Sequence, residues 1–135
     1  MKRIDFEKRF QEICDKHGIV LFLHDPKVGS DNGYAVFNEV HLGNKYKNVH
    51  IYMAVAFHEF GHAIINIKRE KGVKRYGVSS TFHEEFEAWS LAKRYYASYI
   101  VRPFTKDMGN FALQCLKTHS KTHYAFKDIF KDDMK

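Results

Sequence analysis

The chain has 135 residues, which suits one domain over residues 1–135 with a single hydrophobic core. With 44% hydrophobic, 28% charged and 16% aromatic residues, the composition excludes a disordered protein and indicates a packed globular one. The formal net charge of +6 permits contact with nucleic acid or an acidic protein without indicating either.

The first 43 residues predict one helix followed by a small sheet. Apolar residues recur at helical spacing from Ile4 to His17, and Gly18 is a natural helix stop. Branched and aromatic residues predict a strand over Ile19 to Asp25, and turn-forming residues fill Pro26 to Gly33. Tyr34 to Gly43 then predicts one bent strand or a tight hairpin, which would complete a small antiparallel sheet.

A long helix is predicted after the sheet, capped by Asn44 or Asn48 and ending near Lys68. The connection that follows, Lys68 to Arg75, is strongly basic. Cations suit the end of a helix, so this connection is either a solvated linker or a segment that steers an acidic substrate.

Further helices follow this connection. Thr81 can cap one that continues to about Ile100, with Glu84 in the capping-box position, and Pro103 ends it. Two shorter helices are predicted over Asp107 to His119 and His123 to Phe130. The predicted fold class is therefore α+β, with a small antiparallel sheet packed on the buried long helix and further helices C-terminal to it.

The long helix carries two histidines and a glutamate within the segment FHEFGHAIIN, from Phe57 to Asn66. With His58 at zero on a helical wheel, His62 lies at ~40°, Asn66 at ~80° and Glu59 at ~100°. The other faces of the helix are apolar, so the helix belongs in the interior. Its polar strip must then face a cavity or a ligand, because unpaired buried polar groups are costly.

A metal ion would satisfy this strip. Histidines at i and i+4 lie one turn apart, so the imidazoles of His58 and His62 can converge on one zinc ion. Glu59 is displaced around the helix, where it can act as a general base without being a ligand. The segment HEFGH matches the zincin pattern H-E-x-x-H. The alternative is a pair of core histidines with backbone or carboxylate partners.

A catalytic zinc ion needs a third protein ligand, and the next helix offers Glu84, Glu85 and Glu87. On the wheel, Glu87 falls at ~200° from Glu85 on the polar face, where we expect a solvated charge, and Glu84 lies at the edge. Glu85 points from the centre of an apolar stripe, all within ~60° of it: Phe82, Ala88, Trp89, Ala92, Tyr96 and Tyr99. Glu85 is therefore the predicted ligand. The alternatives are that Glu85 pairs with a buried Arg or Lys, or that Glu84 is the ligand.

Small residues predict a close approach of the two long helices. Ala88 and Ala92 lie on the same face as Glu85, and Gly61 would let another backbone pass close to the histidine helix.

These motifs resemble those of a known family. HEFGH over residues 58–62, followed by EFEA over residues 85–88 and then Leu91-Ala92, is similar to the motifs of the ImmA/IrrE-type zinc metallopeptidases, within the glutamate zincins. The order of helix, strand, turn and strand before the motif is also similar, and the resemblance covers roughly residues 4–103. It implies a zincin-like fold and intracellular proteases that cut a DNA-binding repressor or an antitoxin. Many members travel on phages and mobile elements.

The resemblance assigns Zn²⁺ to His58, His62 and Glu85, with Glu59 as the catalytic acid/base. The chain departs from the family in three places. Trp89 stands where the family usually has Asn or Asp, no helix-turn-helix domain is attached, and the segment after Pro103 has no counterpart.

The sequence thus predicts a zinc-dependent endopeptidase acting on an intracellular regulatory protein, with a DNA-bound repressor as one partner. The alternatives are a zinc-fold module that captures a partner without cutting it, a protease toxin acting on a host protein, and a structural zinc site in a nucleic-acid-binding protein. Glu59 argues against a pure binding module, because such a module needs no general base. A structural zinc site is usually closed by four Cys or His ligands, and no fourth is visible.

The sequence does not single out the donor to the oxyanion. The candidates are Tyr95, Tyr96, His119, His123 and Tyr124.

Localisation follows from the cysteines and the absence of apolar runs. Cys14 and Cys115 are too few and too far apart for a disulfide framework. No run approaches the roughly 20 apolar residues of a membrane span, and the N-terminus lacks the apolar core of a signal peptide. We expect a cytoplasmic protein with reduced thiols and no membrane contact.

Overall fold

The structure, a computed structural model, describes residues 1–24, 33–43, 47–70 and 81–117. The described part of the chain forms four helices and three strands: α1 Arg3–Lys16, β1 Val20–Phe22, β2 Gly33–Val36, β3 Glu39–Leu42, α2 Val49–Glu70, α3 Thr81–Ile100 and α4 Lys106–Lys117. This is the predicted α+β class. None of the described helices is both long and apolar enough to cross a membrane.

Helix α1 ends where the sequence predicts. Gly18 adopts a φ of 70°, the left-handed conformation that glycine tolerates without strain. The amides of His17 and Ile19 both donate to the carbonyl of Cys14 at 3.0 Å, which satisfies an acceptor left open by the end of the helix. Strand β1 follows at once and is shorter than predicted.

The sheet is mixed, which corrects the predicted antiparallel arrangement. Its strand order is β1-β3-β2, and β2 pairs antiparallel with β3 as a tight hairpin. Strand β1 instead pairs parallel with β3, with Val20 opposite Glu39 and Phe22 opposite His41. Val40 and Leu42 are fully buried, so β3 takes the centre of the sheet and β1 takes its remaining edge. The turn predicted between β1 and β2, apart from Gly33, lies outside the described residues.

Helix α2 is the central element of the fold. Its first turn is capped by Asn48, whose side-chain oxygen accepts the amide of His50 at 2.9 Å. The other predicted cap, Asn44, lies outside the described residues. One side of α2 packs on β2 and β3, and others pack on α3, α4 and α1. The helix is buried along most of its length, as its apolar faces predict.

Helix α3 has the predicted bounds, and α4 begins one residue earlier than predicted. Thr105 sets that start, because its hydroxyl oxygen accepts the amide of Met108 at 3.2 Å. The side chain of Thr81, residues 71–80 and everything after Lys117 lie outside the described residues. The predicted helix over residues 123–130 and most of the basic connection fall there.

Helices α2 and α3 are in close backbone contact at Gly61, as predicted. A Cβ atom built on Gly61 would lie 2.5 Å from the carbonyl oxygen of Ala88. No side chain larger than hydrogen fits at Gly61 without a shift, so this glycine fixes the distance between the two helices. It therefore determines how far Glu85 stands from the histidines.

Candidate metal centre

The structure brings His58, His62 and Glu85 together between α2 and α3. The Nε2 atom of His58 lies 3.0 Å from Oε2 of Glu85, and Nε2 of His62 lies 3.0 Å from Oε1 of the same carboxylate. The exposed fraction is 13% for each histidine side chain and 18% for that of Glu85. Two residues of one helix and one of the next thus converge on a mostly buried point.

The donor set fits a metal ion. Zinc binds imidazole nitrogen and carboxylate oxygen at about 2.0–2.2 Å, so neighbouring donors around a tetrahedral ion stand about 3.4 Å apart. The observed Nε2–Oε distances of 3.0 Å are close to that spacing. Potential ligand atoms of His58, Glu59 and His62 also lie within 4.8 Å of one another. The cluster can hold a metal ion, and its chemistry suits zinc among others.

The charges of the cluster are strongly coupled. Burial alone would raise the pKa of Glu85, but the hydrogen bonds with His58 and His62 hold that pKa well below its usual range. Burial alone would lower the pKa of His62, but the bond to Glu85 and the carboxylates of Glu85, Glu59 and Glu84 raise it. The carboxylates therefore favour a positive charge at the point where His58, His62 and Glu85 meet.

Glu59 lies beside the ligands and faces the sheet. It is only 7% exposed, and its Cγ would be 3.3 Å from a Cβ placed on Gly33, the first residue of β2. Both imidazoles contact Glu85 through Nε2, and a carboxylate oxygen of Glu59 belongs to the same cluster. A buried position beside the histidines is compatible with the general base that the sequence predicts.

Glu84, which the sequence places in the capping-box position and offers as the alternative ligand, stands behind His62. Its Oε2 lies 3.8 Å from Nδ1 of His62, and its other oxygen accepts a short hydrogen bond from Arg69. At 3.8 Å this contact is too long for a hydrogen bond, but the negative charge of Glu84 helps to raise the pKa of His62. Glu87 is half-buried rather than fully solvated as predicted.

Trp89 holds His58 by stacking. The two rings are 4.1 Å apart between centroids at an angle of 21°, and Trp89 is 1% exposed. Phe111 of α4 packs edge-on against Trp89, with ring centroids 6.1 Å apart. The buried Nδ1 of His58 has no hydrogen-bond partner among the described residues. An aromatic face therefore fixes this ring, at the position where the sequence signalled a departure from the family pattern.

Tyr95 and Tyr96, two of the candidates for the oxyanion donor, pack on another side of α2. Tyr95 packs against Phe60, and Tyr96 is fully buried against Phe57. On the helical wheel, Phe60 and Phe57 lie at ~200° and ~260° from His58, away from the polar strip. The other candidates, His119, His123 and Tyr124, lie outside the described residues.

A thiol that the sequence did not connect with the site lies near its carboxylates. Burial, followed by the charges of Glu85 and Glu59, raises the pKa of Cys115 to about 11. Cys115 lies one helical turn after Phe111, the residue that contacts Trp89. The spacing places Cys115 and Phe111 on one face of α4, but the sequence alone does not show that this face meets the site.

A comparison of the sequence with protein-family models and curated proteins, and of the structure with solved structures, found no match.

Proposed function

We propose that the protein is a zinc-dependent endopeptidase of the ImmA/IrrE type that cleaves an intracellular regulatory protein. The observation that carries the proposal is the bridging position of Glu85, 3.0 Å from Nε2 of both His58 and His62, with Glu59 buried beside them. Two imidazoles and one carboxylate leave a fourth position open, as a catalytic zinc site requires.

The residues divide the chemistry between them. His58, His62 and Glu85 would hold the ion, and zinc in such a site acts as a Lewis acid on the scissile carbonyl and makes water a stronger acid. Glu59 takes a proton from the attacking water and passes it to the nitrogen of the leaving amine. Trp89 and Glu84 keep the two imidazoles in place during these steps.

The position of β2 supports a peptide substrate. Among the described strands, β2 pairs only with β3, so no described strand covers its other edge. Gly33 at its start lies against Glu59. An extended peptide can add to such an edge through main-chain hydrogen bonds, which would bring a peptide bond next to the general base.

The resemblance to ImmA/IrrE-type peptidases suggests a DNA-binding repressor or an antitoxin as substrate. A repressor bound to DNA would be compatible with the net charge of +6. A protease toxin acting on a host protein would use the same centre. Identifying the substrate would distinguish a peptidase that acts on a repressor or antitoxin from a toxin that acts on a host protein.

The experiment is a substrate trap. Glu59→Gln keeps the size of the side chain but cannot accept a proton, so it should retain the ion and its protein partners. Proteins that co-purify with this variant are then incubated with the zinc-loaded wild type. We expect the wild type to cleave one of them and Glu59→Gln to be slower by roughly 100- to 10,000-fold.

Glu87→Gln is the matched control, because it makes the same change on α3 and leaves the contacts of Glu85 with His58 and His62 in place, and it should cleave normally. If Glu59→Gln cleaved as fast as the wild type, Glu59 would not be the general base. A wild type that binds its partner and leaves it intact would favour a capture module.

A further inference from the structure

A strained aromatic residue lies in the turn between β2 and β3. Phe37 has a φ of 51° and is 65% exposed. It is the first of two residues in the hairpin turn, a position where a positive φ favours glycine or asparagine. Such strain persists only where neighbouring structure holds it, and it clusters at functional sites.

Helix α2 holds this turn from the same strip that carries the histidines. The side-chain amide of Asn66 donates to the carbonyl of Phe37 at 3.1 Å. On the wheel that starts at His58, Asn66 lies at ~80°, and Arg69 and Glu70 follow at ~20° and ~120°. The polar strip of α2 therefore continues from the candidate metal centre to the end of the helix.

A pocket opens where this strip meets the end of β2. It has a volume of about 350 Å³ and is lined by Ala35, Val36, Phe37, Asn66, Arg69 and Glu70. We call it the Phe37 pocket. At ~1.5 Å of rise per residue, Asn66 is ~6 Å and Arg69 ~10 Å beyond His62 along α2. An extended peptide advances ~3.3 Å per residue, so the pocket is two or three residues from the centre.

The lining favours an uncharged, apolar group. Its β2 side is apolar, and Phe37 presents an exposed ring. The two charges at the rim have opposite signs, and Arg69 is already paired with Glu84. The volume is near the lower end of ligand pockets, roughly 300–1,000 Å³, which suits one large side chain.

We propose that the Phe37 pocket binds an aromatic or large aliphatic side chain of the substrate, two or three residues from the scissile bond. The inference rests on the proposed function, since the scissile bond is placed at His58, His62 and Glu85. Phe37 is then a specificity-determining residue, and the hydrogen bond from Asn66 to its carbonyl holds its backbone at the mouth of the pocket.

The test uses peptide hydroxamates, which attach to the metal of the zinc-loaded full chain. The compounds differ only in one side chain, Phe, Leu, Ala or Asp, placed two or three residues from the hydroxamate. Calorimetry should show that Phe or Leu binds about tenfold more tightly than Ala or Asp at one of these positions. Phe37→Gly should abolish this preference and leave the affinity for acetohydroxamate, which contacts only the metal site, unchanged.

Val101→Gly is the matched control. Val101 is also exposed and has a φ of 61°, so the same substitution relieves the same kind of strain at the end of α3. It should keep the preference. A wild type without the preference, or a preference that survives Phe37→Gly, would overturn the proposal. Selective hydroxamate binding by a protein that cleaves no peptide would instead refute the endopeptidase and leave the pocket in place.

Discussion

The two histidines of the centre are oriented by different kinds of contact. His58 is stacked on Trp89, whereas His62 has the carboxylate of Glu84 behind its Nδ1. Glu85 contacts both rings. A change at Glu85 should therefore affect both halves of the centre, whereas a change behind one ring should affect that ring alone.

The glutamates of α3 provide a direct test. Glu85→Ala removes the third ligand of the proposed zinc site, so we expect zinc affinity to fall by more than the roughly 10- to 100-fold typical of losing a residue that only supports a ligand. Glu87→Ala should leave zinc content unchanged, and His58→Ala should lose the ion. Metal analysis and competitive titration with a chelating dye would measure these effects. Zinc retained by Glu85→Ala and lost from Glu87→Ala would reverse the assignment.

At this scale, the sequence predicted the four residues that the structure brings together. The i, i+4 spacing located His58 and His62, and helix phase selected Glu85 among three glutamates. Helix phase could not show that Trp89 would lie flat on an imidazole. That contact depends on the distance between two helices and on side-chain rotamers, which a one-dimensional pattern does not contain.

Among the elements, the contact between α2 and α3 sets the geometry of the centre. Gly61 faces the backbone of Ala88, so the two helices can approach until main-chain atoms touch. Glu85 lies one turn before Ala88 on the same helix and is positioned by this contact. The close approach of α2 and α3 thus serves the metal site as well as the core.

Gly61→Ala should push the helices apart. The added methyl group would lie 2.5 Å from the carbonyl oxygen of Ala88, and overpacking of this kind costs roughly 1–3 kcal/mol of unfolding free energy. We expect weaker zinc binding as well, because Glu85 moves away from the histidines. Chemical denaturation and metal titration of the same sample would measure both effects.

Gly33→Ala is the comparison for this prediction. Its added methyl group would have its closest contacts at 3.3 Å, so the loss of stability should be smaller. Adding Ala88→Gly to Gly61→Ala should not restore stability, because the clash is with main chain. Full rescue by that second change would show that side chains, and not the backbone, set the helix separation.

The sequence predicted the hairpin of the sheet but not the direction of its third strand, β1. Alternating and turn-forming residues predicted the hairpin of β2 and β3. The direction of β1 relative to β3 is decided by the path of the intervening chain and by which strand is buried most deeply. Val40 and Leu42 place β3 at the centre, and this follows from packing across the whole domain.

The central helix of the fold, α2, carries most of the charged cluster of His58, His62 and Glu85. Helix α2 contacts the sheet and the other three described helices, and it carries two of the three residues that would hold the ion. In the metal-free protein, the raised pKa of His62 and the lowered pKa of Glu85 favour an ion pair between these two residues. A metal that binds the folded state alone should add to stability in proportion to its affinity and concentration.

This coupling predicts a defined pH dependence. The lowered pKa of Glu85 adds stability that is complete above its ordinary value of 4.5 and is lost as pH falls through the folded value. The raised pKa of His62 adds stability that is complete below 6.5 and is lost as pH rises through the folded value. The contribution of the pair to the metal-free protein should therefore be largest between those two pH values.

The experiment measures thermal unfolding of the wild type and of Glu85→Ala, both with a chelator, from pH 4.5 to pH 8. The difference between the two proteins should shrink above pH 6.5. With zinc, the stabilisation should instead grow with pH, because protons and metal compete for the imidazoles. If the metal-free wild type became more stable relative to Glu85→Ala as pH rises toward 8, His62 and Glu85 would not form an ion pair.

Trp89 is the single tryptophan of the chain, and its ring lies against His58. Indole is the dominant fluorophore of proteins when excitation is set at the red edge of its absorption, so the emission of this protein comes from one residue on one candidate ligand. An ion with a partly filled d shell, such as Co²⁺, quenches indole emission at contact range. Occupancy of the centre can therefore be followed by intrinsic fluorescence, without a label and without a substrate.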